Sequence, residues 1–80
     1  MNDNAIHETI EQLVAEEHDL WRQEAAGHAT EDTRRRLNDL KVTLDRMWDL
    51  LHQRQGLRDA GRDPEQATIR PTEVVENYEQ

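Results

Sequence analysis

The sequence predicts an all-α protein: an antiparallel two-helix hairpin, coiled-coil-like, followed by a C-terminal tail. Two observations predict it, namely the spacing of the apolar residues on either side of a break and the shortness of that break. The first apolar series is Ile6, Ile10, Leu13 and Leu20, and the second is Leu37, Leu40, Leu44, Met47 and Leu51. Such spacing is typical of helices that pack side by side. Because only residues 27–30 separate the two series, the helices are expected to run antiparallel.

The first helix is predicted over residues 3–26. Asp3 or Asn4 can cap it, since a side-chain oxygen at this position accepts a hydrogen bond from an unpaired N–H group of the first turn. Gly27 is expected to end the helix, because glycine readily adopts the left-handed conformation that follows many helices.

The second helix is predicted over residues 31–60, with Thr30 as its N-cap and Gly61 as its stop. Folding about the break pairs positions whose numbers sum to about 57, which matches each apolar series with the other in antiparallel register. The second helix is then longer than the first, so that nothing is expected opposite residues 54–60. This overhang leaves Leu57 exposed unless another part of the chain covers it.

The tail, residues 62–80, carries its own signals for turns. Asp63 followed by Pro64 is typical of a capped helical start, and predicts one short helical turn. Arg70 precedes Pro71 and is expected to be extended, because a residue before proline avoids the helical region.

The composition limits the classes of partner. The chain has 80 residues, no cysteine and a net charge of −8. Nucleic acid and anionic membrane surfaces are not expected as partners, because both require a basic protein surface. No stretch is long and apolar enough to span a membrane, and the first residues lack the basic and apolar regions of a signal peptide, so a cytoplasmic protein is expected.

The charge is divided unevenly between the two predicted helices. Residues 3–26 carry seven acids and one base, a formal charge of −6, whereas residues 31–59 carry six acids and seven bases, a formal charge of +1. An acidic helix beside a base-rich one suits an antiparallel pair and influences its register and choice of partner. The basic run 34–36 is expected to pair with acids of the first helix such as Glu17, Asp19 and Glu24.

Several large apolar residues lie outside the two series and predict a second surface that something must cover. They are Val14, Trp21, Trp48, Leu50 and Leu57. The tail folding back over one face is one explanation. Association of two hairpins as a homodimer, a four-helix bundle, is another, and docking of an unidentified protein is a third.

A metal site is the alternative interpretation, from a different functional class. Asp49 and His52 are three residues apart, a spacing that places two ligands on one face of a helix. The antiparallel register brings His7 and Glu8 near them, so these four residues are the candidate ligands. Solvated surface residues are the simpler interpretation in so acidic a chain. No catalytic residue and no cofactor is predicted, since the chain has no Cys, no Ser and no glycine-rich phosphate loop.

The sequence also resembles a known family. The resemblance is carried by residues 13–20 (LVAEEHDL), residues 44–51 (LDRMWDLL) with Arg54, residues 60–64 (AGRDP), and Arg70-Pro71 with residues 74–78 (VVENY). Together these stretches resemble the short actinobacterial proteins of the domain-of-unknown-function family 2630. The resemblance implies an intracellular helical protein and carries over no activity, cofactor or catalytic residue.

The resemblance further implies that the tail belongs to the same domain as the hairpin of residues 1–61. We therefore expect the chain to turn at Pro64 and the apolar residues of the tail to pack on the hairpin near Trp48 or Leu57. The residues expected to dock are Ile69, Val74, Val75 and Tyr78. From the sequence, the protein is predicted to be a non-enzymatic helical interaction or scaffold module.

Overall fold

The fold is an antiparallel pair of α-helices, as the apolar spacing predicts. A computed structural model describes residues 2–71, in which α1 spans Asp3–Ala25, α2 spans Glu31–Asp59, and a 3-10 turn spans Pro64–Gln66. These residues contain no β-strand. Neither helix in this part of the chain is long and apolar enough to cross a membrane.

The start of α1 differs from the prediction. Asn2, rather than Asp3 or Asn4, is the N-cap, and its side-chain oxygen accepts a hydrogen bond of 2.8 Å from the N–H of Ala5. Asp3 lies inside the first turn, and its carboxylate accepts hydrogen bonds from Arg54 and Arg58 of α2. The end of α1 follows the prediction, since Gly27 has a φ of +77°, a conformation that glycine adopts without strain.

The start of α2 is capped as predicted. The Thr30 side chain accepts a hydrogen bond from the N–H of Thr33, and the Thr33 side chain accepts one from the N–H of Thr30, both at 3.2 Å. This reciprocal pair satisfies two backbone donors at once. The helix ends before Gly61, whose φ of +72° again requires the freedom of glycine.

The core lies between the two helices and contains residues from both predicted apolar series. Its buried cluster consists of Ile6, Ile10, Leu44, Met47 and Leu50, with Leu13, Leu51 and Ala67 packed against it. Leu40 is fully buried nearer the loop between the helices. The contacts between the helices lie close to the predicted register, since His7 contacts Trp48 and Asp3 binds Arg54, pairs whose numbers sum to 55 and 57.

Arg54 closes the open end of the hairpin. Its side chain is buried, with the residue 6% exposed, and its Nε atom donates to Asp3 Oδ1 at 2.5 Å. A second nitrogen donates to Glu65 Oε1 at 3.2 Å, and Arg58 donates to Asp3 Oδ2 at 2.5 Å. The expectation that nothing on the first helix lies opposite Arg54 is wrong, because Asp3 occupies that position.

These contacts also shift the ionisation of the groups involved. The hydrogen bond from Arg54, and next that from Arg58, lowers the pKa of the Asp3 carboxyl below its ordinary value. The hydrogen bond to Asp3 raises the pKa of Arg54. The ion pair therefore favours the charged form of both partners.

Residues 62–71, here called the return segment, turn back along α2. Gln53 donates to the carbonyl oxygen of Thr68 at 2.7 Å, and Arg46 donates to the carbonyl oxygen of Arg70 at 3.2 Å. The Arg70 guanidinium donates two hydrogen bonds, of 2.9 and 2.6 Å, to the Asp49 carboxylate. Later residues of the segment thus bind earlier residues of the helix, which means that the segment runs antiparallel to α2.

Candidate interaction face

The return segment covers one side of the hairpin. Arg46, Leu50 and Arg54 are four residues apart and share one side of α2, and both arginines bind backbone or side-chain atoms of residues 64–70. Leu50 lies between them and is only 5% exposed. The prediction that Leu50 lies on the interaction surface is wrong: Leu50 belongs to the core, and Ala67 packs against the cluster that contains it.

The opposite side of the hairpin carries two rows of residues, and each residue in a row comes directly after a residue that faces the core. The α1 row is His7, Val14 and Trp21, and the α2 row is Arg34, Lys41 and Trp48. In each row the spacing is seven residues, so the members of a row share one face of their helix. The rings of His7 and Trp48 lie edge to face, with centroids 6.3 Å apart, which shows that both rows lie on the same side. These six residues are called the exposed face.

The large side chains of the exposed face remain accessible. Trp21 is 55% exposed, Val14 is 45% exposed and Trp48 is 44% exposed. The structure thus places three of the five residues predicted for the interaction surface on one side of the hairpin. Of the other two, Leu50 is in the core and Leu57 is half-buried near the end of α2.

An open groove of about 530 Å³ follows the exposed face along α1. Its walls include Ile10, Val14 and Ala15, and Trp48 closes one side. His7 and His18 add imidazole rings to the lining of the groove, and Glu11 adds a carboxylate. The groove therefore combines an apolar floor with groups that can donate or accept hydrogen bonds.

The charges around the face are only partly paired. Arg36 binds Glu16 of α1 with hydrogen bonds of 2.5 and 2.9 Å, and this hydrogen bond lowers the pKa of Glu16. Arg34 and Lys41 make no ion pair with any residue from 2 to 71. The basic run was expected to pair with Glu17, Asp19 and Glu24; its pairing with α1 goes to Glu16 instead, and Asp19 binds Arg22 on its own helix.

The alternative metal site is not supported by the arrangement of its four candidate ligands. Over the described range, no group of three or more His, Cys, Asp or Glu side chains could hold a metal ion. Asp49 is buried and its carboxylate binds Arg70 and Gln53. His7 packs against Trp48, while Glu8 and His52 are exposed.

The residues predicted to dock from the tail fall into two groups. Ile69 lies on the return segment and is 45% exposed. Val74, Val75 and Tyr78 lie outside the described residues. In the described part, the tail binds α2 mainly through polar contacts, namely the hydrogen bonds of Arg70 and those of backbone carbonyl groups. Ala67 adds an apolar contact.

Sequence reasoning missed the basic members of the exposed face. The sequence does contain a pattern that indicates them, since Arg34, Lys41 and Trp48 are spaced seven residues apart and each directly follows a core position. The Asp49–Arg70 pair was also missed, because no local pattern relates two residues 21 positions apart.

Comparisons with known proteins place nearly the whole chain in a recognised family. Residues 2–80 match the model of a family described as a protein of unknown function, DUF2630. Uncharacterized proteins of Mycobacterium bovis and of two strains of Mycobacterium tuberculosis are each 43% identical to it over 70 residues, covering 86% of this chain and 80% of the relative. No solved structure matches the chain. The chain therefore belongs to the DUF2630 family.

Proposed function

We propose that this protein is a non-enzymatic interaction module, which acts by binding another protein chain through its exposed face. The observation that carries the proposal is that Trp21, Val14 and Trp48, each close to half exposed, all lie on the side of the hairpin that the return segment leaves uncovered. Tryptophan is among the residue types that dominate binding energy at protein interfaces.

The form of the groove supports binding rather than catalysis. It is a shallow channel along a helix, open on one side, with a predominantly apolar floor. An elongated apolar groove suits an amphipathic helix, which binds through side chains repeated every three to four residues. The polar groups of the groove, His7, Glu11 and His18, add orientation and selectivity, as polar groups do at protein interfaces.

The proposal includes a cytoplasmic location, in keeping with the acidic composition of the chain, which has a net charge of −8. Fractionation of cells that express the chain with a C-terminal tag tests this part. Recovery of the chain with the membrane fraction would contradict it.

Chemical crosslinking inside cells tests the interaction role. The native chain is expected to form covalent complexes larger than itself, and the Trp21→Ala/Trp48→Ala double variant is expected to lose them. Gln12→Ala and Gln55→Ala together serve as a control, since both residues are exposed and neither belongs to the exposed face. Equal complex formation by the native chain and the face variant would refute the proposal, as would the absence of any complex.

A further inference from the structure

The exposed face is broad and belongs to a thin molecule. The smallest dimension of the protein is 15 Å, little more than one helix with its side chains. With α1 about 34 Å long, two helices side by side present a strip that can bury about 700 Å² per chain. Standard stable interfaces bury roughly 600–1,000 Å² per partner. The face is therefore large enough to be one half of a stable interface.

The two rows of this face have the geometry needed to meet another helical hairpin. His7, Val14 and Trp21 repeat every seven residues along α1, and Arg34, Lys41 and Trp48 do the same along α2. A seven-residue repeat matches a partner helix that carries the same repeat. The chain itself supplies such a partner, because each row has the period of the other.

Charge decides which helix of a second copy would lie beside α1. Residues 3–26 have a formal charge of −6 and residues 31–59 have a formal charge of +1. Contact between the α1 helices of two copies would bring two strongly acidic helices together, whereas contact between α1 and the α2 helix of the other copy places acids beside bases.

We propose that a second copy of the chain covers the exposed face, forming a two-fold four-helix bundle in which α1 packs between its own α2 and the α2 of its partner. This inference rests on the proposed function and names its partner. The exposed faces of the two copies pack against each other, and every neighbouring pair of helices in the bundle is antiparallel.

The arrangement accounts for the two basic residues of the exposed face, Arg34 and Lys41, which have no ion-pair partner between residues 2 and 71. Trp21 lies beside the partner's Arg34, whose guanidinium can stack on the indole ring. Val14 lies beside the partner's Lys41, whose methylene stem covers it while the ammonium group remains near the acids of α1. His7 lies beside the partner's Trp48, the same kind of contact that it makes within its own chain.

The molecular mass in solution provides the first test. Light scattering of the full chain, from micromolar to millimolar concentration, is expected to give twice the mass of one chain. Val14→Glu is expected to give the mass of one chain with unchanged helix content. Ile69→Glu is the matched control, because Ile69 is also a β-branched residue, is equally exposed at 45% and lies on the return segment. A single-chain mass for the native protein, or a Val14→Glu variant that stays dimeric, would overturn the proposal.

Crosslinking distinguishes the proposed bundle from other dimers, and the absence of native cysteine makes single-cysteine variants specific. A mixture of Val14→Cys and Lys41→Cys chains, treated with a short bis-maleimide, is expected to give a mixed covalent dimer. Val14→Cys alone is expected to give none, because the two α1 helices lie diagonally across the bundle. A covalent dimer from Val14→Cys alone would overturn the arrangement. A native chain of single-chain mass that still forms face-dependent complexes in cells would overturn self-association and leave the proposed interaction role standing.

Discussion

Replacing Leu50 by alanine tests whether the return segment closes one side of the hairpin. Leu50 is 5% exposed, so nearly all of its side chain is out of water. Truncating a leucine at such a site costs about 2–5 kcal/mol, and about 3 kcal/mol is expected here. For a domain of this size that loss lowers the melting temperature by roughly 12–24 °C. Circular dichroism during heating and in urea, at one fixed protein concentration, measures it.

Leu57→Ala is the matched control for this prediction, since it is the same substitution on the same helix at a half-buried position. It is expected to cost about 1 kcal/mol. A chain ending at Gly61 provides the second comparison, because Leu50→Ala should cost less once the covering segment is gone. An equal cost of Leu50→Ala in the full and shortened chains, or a cost below about 1 kcal/mol in the full chain, would refute the reasoning.

Three further substitutions and one deletion extend the account. Thr30→Ala removes the reciprocal cap of α2 and should cost about 1 kcal/mol, seen in urea unfolding; an unchanged midpoint would contradict it. The pKa of Asp3 is lowered in the folded chain, so the stability that its carboxylate contributes is complete above its unfolded pKa and is lost as the pH falls towards the folded value. Below about pH 4 the native chain should therefore lose more stability than the Asp3→Asn variant. Parallel curves of stability against pH for the two chains would contradict this. Asp45→Ala should maintain or raise the melting temperature, because one carboxylate oxygen of Asp45 is buried without a hydrogen bond in the described residues and alanine favours helix; a clear drop would refute it. Deletion of residues 62–80 should lower the melting temperature clearly, and an unchanged melt would show that the tail does not support the hairpin.

The hairpin follows from the sequence because its determinants are periodic and local. Ile6, Ile10, Leu44 and Met47 lie in the core, as their spacing predicts. Helix caps between residues within four positions of each other can also be predicted from the sequence, as the Thr30 cap is. At the start of α1 the local rule fails, since Asp3 could cap the helix but binds Arg54, 51 positions away.

The two sides of the hairpin could not be assigned from the sequence. Leu50 and Trp48 both lie outside the apolar series, and no local signal tells which one a distant segment covers. The answer depends on Arg70, which binds Asp49 and fixes the return segment on the side of Leu50. Contacts between residues so far apart carry no periodic pattern, and only the folded chain reveals them.

Cysteine labelling tests most directly the claim that one side of the hairpin is covered by its own chain and the other is left for a partner. The measurement compares the rates at which a maleimide reacts with Leu50→Cys and with Val14→Cys in the full chain. In protein diluted below the micromolar range, where the dimer dissociates, Val14→Cys is expected to react quickly, and to slow as the protein is concentrated, whereas Leu50→Cys is expected to react slowly at every concentration. Equal rates in dilute protein, or a Val14→Cys rate that does not change on concentration, would contradict the account.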